Sequence, residues 1–180
     1  MKTKTEEELA RRLAELKAEF DASFARPAAL AEARWEVLLR LRVGGTALAV
    51  PLKQLEGLHA LPRLVSLPDS PPGLLGVVGL RGQLVAVHSL AACLGLPLDE
   101  QPRWLLLGDA GHRVGLAAGG FEGQLRVPPE QLRPPVGGAP RPYLNTAVLR
   151  PGEPPLPVVD VASLVKDLLD GAQAPQTEKR

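Results

Sequence analysis

Hydrophobic and polar positions alternate with a period of two through most of this chain, and with a period of three to four only near its two ends. At the amino end Leu9, Leu13, Leu16, Phe20 and Phe24 fall on one helical face, and Thr5-Glu6-Glu7-Glu8 ahead of them reads as a capping box. Residues 1–33 are therefore expected to form an amphipathic helix and a linker, Arg26-Pro27 ending the helix. Its apolar stripe can pack on its own domain or serve as a short coiled coil or partner-docking helix. At the other end Asp160 is a good helix cap before Val161, Leu164, Val165, Leu168 and Leu169. This second helix spans residues 160–170, with Gly171 ending it and a disordered tail over 171–180.

Between the helices the chain reads as short strands. Residues 35–43, a Gly44-Gly45 turn and residues 46–50 form a hairpin, with Trp35, Val37, Leu39, Leu41 and Val43 inward and Glu36, Arg40 and Arg42 toward water. A helical turn over 51–55 leads to a strand at 56–60, and the proline-rich residues 68–72 are a rigid connector. After a short helix at 91–96, strands are expected at 103–108, 113–118 and, with a glycine bulge, 119–127. Residues 128–142 read as a loop, and 143–149 with 156–159 as the last strand pair. Eight to ten short strands, with helices mostly at the ends, define a mainly β fold of small barrels.

The chain is organised around residues 73–90, GLLGVVGLRGQLVAVHSL. Val77, Val78, Leu84, Val85 and Val87 favour extended backbone, and Arg81-Gly82-Gln83 is the turn between two strands. An arginine at such a turn must either find acceptors inside the protein or protrude as a docking group.

Composition narrows the function. With 21 Lys and Arg against 20 Asp and Glu, the net charge is +1, so no global field draws in nucleic acid or an anionic membrane. Aromatic residues make up 3% of the chain, too few for a base-stacking surface. One cysteine permits no internal disulfide, no apolar run is long enough to span a bilayer, and a cytoplasmic location is expected. His59, His88 and His112 have no companions at metal-ligand spacing, so no metal and no cofactor are expected. Cys93 lies in an apolar segment without a cation to activate it, and neither a nucleophile-elbow serine nor a phosphate-binding loop occurs. The chain does not read as an enzyme.

The order of these features resembles the CheW family of chemotaxis coupling proteins over residues 34–170. The resemblance rests on GVVGLRGQLVAVHSL, in which Gly76, Leu80, Arg81, Gly82 and Leu90 fit the family's motif, supported by the hairpin at 35–50, the segment at 55–60, Val114-Gly115-Leu116 and VVDVASLVKDLL. It departs from the pattern at Gly79 (asparagine in the family), Ala86 (proline), Ser89 (aspartate) and Gly119 (an acidic residue), and a glutamate expected near Gly57 is instead Glu56. These departures remove hydrogen-bonding side chains.

The resemblance implies two five-stranded SH3-like barrels sharing a core, no catalysis, and a scaffold role. The implied partners are the cytoplasmic tip of a chemoreceptor and the regulatory domain of a CheA-type histidine kinase. It assigns receptor contact to Val77, Val78, Arg81 and Gly82, with Arg81 either orienting a groove from within or touching the receptor, and kinase contact to Leu55, Glu56 and Gly57. A second reading is a diverged adaptor for another chemosensory-type pathway, such as surface motility, acting through its N-terminal helix. A small-barrel RNA-binding protein is the remote alternative.

Overall fold

The computed structural model describes residues 35–108, 114–135 and 141–173; the expected N-terminal helix and the turn at 109–112 lie outside them. Eleven strands form among the described residues: β1 (Glu36–Val43), β2 (Thr46–Pro51), β3 (Leu55–Ala60), β4 (Leu74–Leu80), β5 (Gln83–Ser89), β6 (Trp104–Gly108), β7 (Val114–Ala118), β8 (Gly120–Val127), β9 (Leu132–Arg133), β10 (Thr146–Val148) and β11 (Leu156–Val158). The helices are α1 (Leu90–Cys93) and α2 (Val161–Gln173), and two single 3-10 turns precede β3 and β9.

The strands divide into two sheets with the orders β8-β1-β2-β11-β10-β9 and β3-β6-β7-β5-β4. The second sheet is one uninterrupted insertion into the first, entered after β2 and left before β8. Each remains an open SH3-like arrangement, since its two end strands are not hydrogen-bonded to each other. The fold is mainly β, as the alternation predicts, but with six and five strands instead of five and five. The sixth is β9, only two residues long and paired with β10, inside a segment too rich in proline to show a period.

Three apolar cores follow from this layout. Leu38, Ala49, Val127, Val148 and Val158 fill the curl of the first sheet. Val78, Val85, Val87, Leu105, Leu107 and Ala117 fill that of the second. Between the sheets lies the largest, where Leu41, Val43, Leu48 and Val50 meet Leu106, Leu116 and Ala118 under Leu90 of α1 and Val161, Leu164 and Val165 of α2. Each fully buried Val or Leu contributes about 1.5–3 kcal/mol, so the shared core is the main force joining the sheets.

This double coverage corrects the reading of β1. Leu38 is only 1% exposed although it shares a face with Glu36, Arg40 and Arg42, because at Leu38 that face closes over the first sheet's own interior. Trp35, expected inward, precedes the strand and is 54% exposed.

Helix α2 is held as its sequence predicts. Asp160 Oδ1 accepts from the Ser163 amide at 3.2 Å, and Gln54 Oε1 accepts from the Val161 amide at 2.9 Å. Gly108 on β6 has no side chain to keep α2 away, and a methyl group there would come within 2.8 Å of Val165 Cγ2. The helix continues through Gly171 to Gln173, past the expected stop, since Gly171 does not adopt the left-handed conformation of a C-terminal cap.

Candidate functional site

Strands β4 and β5 form a two-residue hairpin in which Leu80 pairs with Gln83. Arg81 and Gly82 both take left-handed backbone, at φ 48° and 79°, the pattern of a type I′ turn. Glycine accepts this freely, whereas an arginine there costs about 1–2 kcal/mol. The Arg81 side chain is exposed and has no hydrogen bond or ion pair among the described residues. The guanidinium thus stands in solvent, and the described residues supply no internal acceptor for a groove-orienting role.

Alternation sorts the hairpin into two faces. Val78, 6% exposed, belongs with Val85 and Val87 in the second sheet's interior, so of the four predicted receptor-contact residues it is a floor and not a surface. Val77 lies on the other face, opposite Ala86, and Gly79 lies opposite Leu84. Leu84 is 74% exposed over a glycine that leaves the space beside it empty. Val65, 63% exposed, extends this face through paired 2.9 Å backbone hydrogen bonds with Val77. Gly76 explains how Val65 comes so close: it sits at a bulge with φ 146°, and any side chain there would overlap the Val65 carbonyl. The close approach the glycines permit is thus made partly by the protein's own backbone.

The predicted kinase-contact residues lie elsewhere. Leu55, Glu56 and Gly57 begin β3, at the opposite edge of the second sheet, where a bulge between Leu55 and Gly57 leaves Glu56 out of the ladder. Leu55 packs against the shared core, and Glu56 is exposed. Each predicted group is contiguous in space, and β6, β7 and β5 separate the two groups.

Two of the sequence departures are compensated. The Ser89 hydroxyl caps α1 by accepting from the Ala92 amide at 3.2 Å, so no capping function is lost there. Beside Gly119 the carboxylate of Asp99 fills the space a side chain would occupy. Reading the sequence alone missed Val65, Leu67 and Leu84 as exposed apolar residues. The alternation that sends Val85 and Val87 inward also sends Leu84 outward, whereas Val65 and Leu67 sit in a proline-bounded loop with no period.

Reactive groups are unremarkable in placement. Burial holds the half-buried His88 imidazole below its ordinary value and pushes the Cys93 thiol up, the opposite of what a nucleophile needs. No group of three His, Cys, Asp or Glu residues that could hold a metal occurs among the described residues. A cavity of about 250 Å³ at one end of the first sheet is ringed by groups already paired with each other, Lys53 with Glu36 at 2.8 Å and Gln54 with Asp160. Nor is any described helix long and apolar enough to cross a membrane.

Two small sheets joined by one core thus form a small β module that presents an exposed apolar hairpin face, with Arg81, which has no partner among the described residues, at its tip. A model of the CheW-like domain matches residues 37–169, and the chain belongs to that family. Its role is accordingly that of a scaffold or adaptor of the chemotaxis kind. The fold is similar to the crystal structure of the scaffolding protein TtCheW from Thermoanaerobacter tengcongensis, with a TM-score of 0.61 and 11% identity over 70% of this chain and 89% of that one. No curated protein matches the chain.

Proposed function

We propose that this chain couples the cytoplasmic tip of a chemoreceptor to the regulatory domain of a CheA-type histidine kinase, without catalysis of its own, in the cytoplasm at membrane-associated receptor arrays. The observation that carries the reading is the outer face of the β4–β5 hairpin, where Leu84 and Val65 are exposed beside an Arg81 that has no partner among the described residues. An amphipathic helical hairpin buries its apolar stripe on Val77, Leu84 and Val65, and Arg81 meets an acceptor at the edge of that stripe. Val78 supports the face from beneath. The β3 edge at Leu55, Glu56 and Gly57, paired with β6 on one side only within its sheet, takes the kinase by strand-edge contact. Family membership supports the adaptor role, and the separation of the two surfaces supports simultaneous engagement.

The test is reconstitution with the receptor fragment and the CheA-type kinase of the same organism. The chain is expected to bind both and to make kinase activity respond to receptor. Arg81→Ala weakens receptor binding by roughly 10-fold or more, leaving kinase binding and the circular-dichroism spectrum intact. Retention of neither partner by the wild-type chain overturns the proposal.

A further inference from the structure

The side chain of Asp99 stands where three segments meet. Its Oδ1 accepts a 2.8 Å hydrogen bond from the Gly44 amide, in the β1–β2 turn of the first sheet. Asp99 itself belongs to the connection from α1 to β6, which enters the second sheet. The third segment is Gly119, the one residue between β7 of the second sheet and β8 of the first, and a methyl group on it would overlap the Asp99 carboxylate. The backbones are equally close: a methyl group on Gly44, at φ 55°, would overlap the Pro97 carbonyl oxygen. Gly44 and Gly119 thus leave room for one loop and one carboxylate to seat against the seam.

Asp99 Oδ2 is buried and has no hydrogen-bond partner among the described residues. A carboxylate oxygen in that position is unfavourable by itself, so solvation does not place the group there. What holds it is the bond to Gly44 and the fit at Gly119. We infer that Asp99 is a latch between the two sheets, and that position 119 is a glycine in this chain to admit it. Any movement of the β1–β2 turn relative to the second sheet must break the Gly44–Asp99 bond. The shared core joins the sheets by apolar contact, which tolerates sliding; the latch is directional and fixes their setting at the seam.

A four-protein cycle tests this: wild type, Asp99→Ala, Gly119→Ala and the double variant, read by thermal melting and by hydrogen exchange at the Gly44 amide. Gly119→Ala should lower the melting temperature by about 4 °C or more, and the double variant should recover part of that loss because the methyl group enters the space the carboxylate vacates, while its 3.2 Å approach to the Arg42 carbonyl is common to both variants. Asp99→Ala should speed Gly44 exchange at least about 10-fold, whereas Asp99→Asn, whose side-chain carbonyl still accepts, should keep the amide protected. Additive melting shifts overturn the inference, as does unchanged Gly44 exchange in Asp99→Ala or exchange in Asp99→Asn as fast as in Asp99→Ala. Should Gly119→Ala fail to fold, the exchange measurements on the two Asp99 variants decide.

Discussion

The two edges of the second sheet have the same backbone potential for pairing but are finished differently. At β3 the edge is short, bulged at Glu56, and its leucine is committed to the shared core, so what it offers a partner is mostly main chain. At β4 the edge is partly closed by the bridge to Val65, and what it offers is a surface: Leu84, Val65 and Val77 around a turn carrying Arg81. Main-chain edges recognise other strands, and apolar faces flanked by a single charge recognise amphipathic helices. The contrast teaches how one small sheet presents two unlike surfaces: β6 and β7 lie between the β3 edge and the β4–β5 face.

The sharpest way to break that comparison is to charge one side only. Leu84→Glu places a carboxylate in the centre of the apolar face, where the wild-type side chain is 74% exposed and packs on nothing the fold needs. Receptor binding should fall by about 100-fold or more, with stability changed by less than about 0.5 kcal/mol and kinase binding unaltered. Titration calorimetry against each partner separately measures it. An equal loss for both partners would merge the two edges into one site.

A smaller effect, of opposite sign in stability and function, is expected at the turn. Arg81 sits at φ 48°, a conformation that asparagine tolerates better. Arg81→Asn should therefore stabilise the protein by up to about 1 kcal/mol in urea denaturation and still weaken receptor binding roughly 10-fold. Strain at a position that a more suitable residue would relieve supports the proposal that the Arg81 side chain serves contact. A variant both more stable and fully competent would remove Arg81 from the receptor surface.

How far the sequence foretold this depends on how local each signal is. The β4–β5 hairpin was legible because its turn, glycines and alternation all fall within eighteen residues, 73–90. Helix α2 was legible because a cap and a stripe suffice. Leu38 was not, since a strand covered on both faces has no single hydrophobic parity, and the same residue spacing reads as one buried face. Arg81 could be narrowed only to inside or outside, because a sequence shows no acceptors. Asp99 carried no signal: its meaning comes from Gly44 and Gly119, fifty-five and twenty positions away, and pairs at such separation need the fold before they can be seen. Ser89 had one, as a serine before a helix, but its departure from the family pattern concealed that a hydroxyl does the same capping.

The smallest predicted effect separates the hairpin from the rest of the molecule by acid. His88 shares the outward parity of Leu84 and Ala86 but lies at the α1 end of β5, opposite Leu74, where burial holds its imidazole below the ordinary 6.5. The unfolded chain therefore binds a proton at His88 before the folded chain does. The stability gained from a neutral His88 is fully present above about pH 6.5 and declines as the pH falls below it, because protonation then favours the unfolded state. Urea midpoints measured at about pH 7.5 and about pH 5.5 should show this decline, and His88→Gln should make it shallower whatever it does to the midpoint itself. Carboxylates elsewhere contribute to the slope of both proteins equally, so the difference between slopes belongs to His88. Identical slopes would mean that the imidazole titrates alike in the folded and unfolded chain, and that the α1 end of the hairpin is open to water in the way its Leu84 end is.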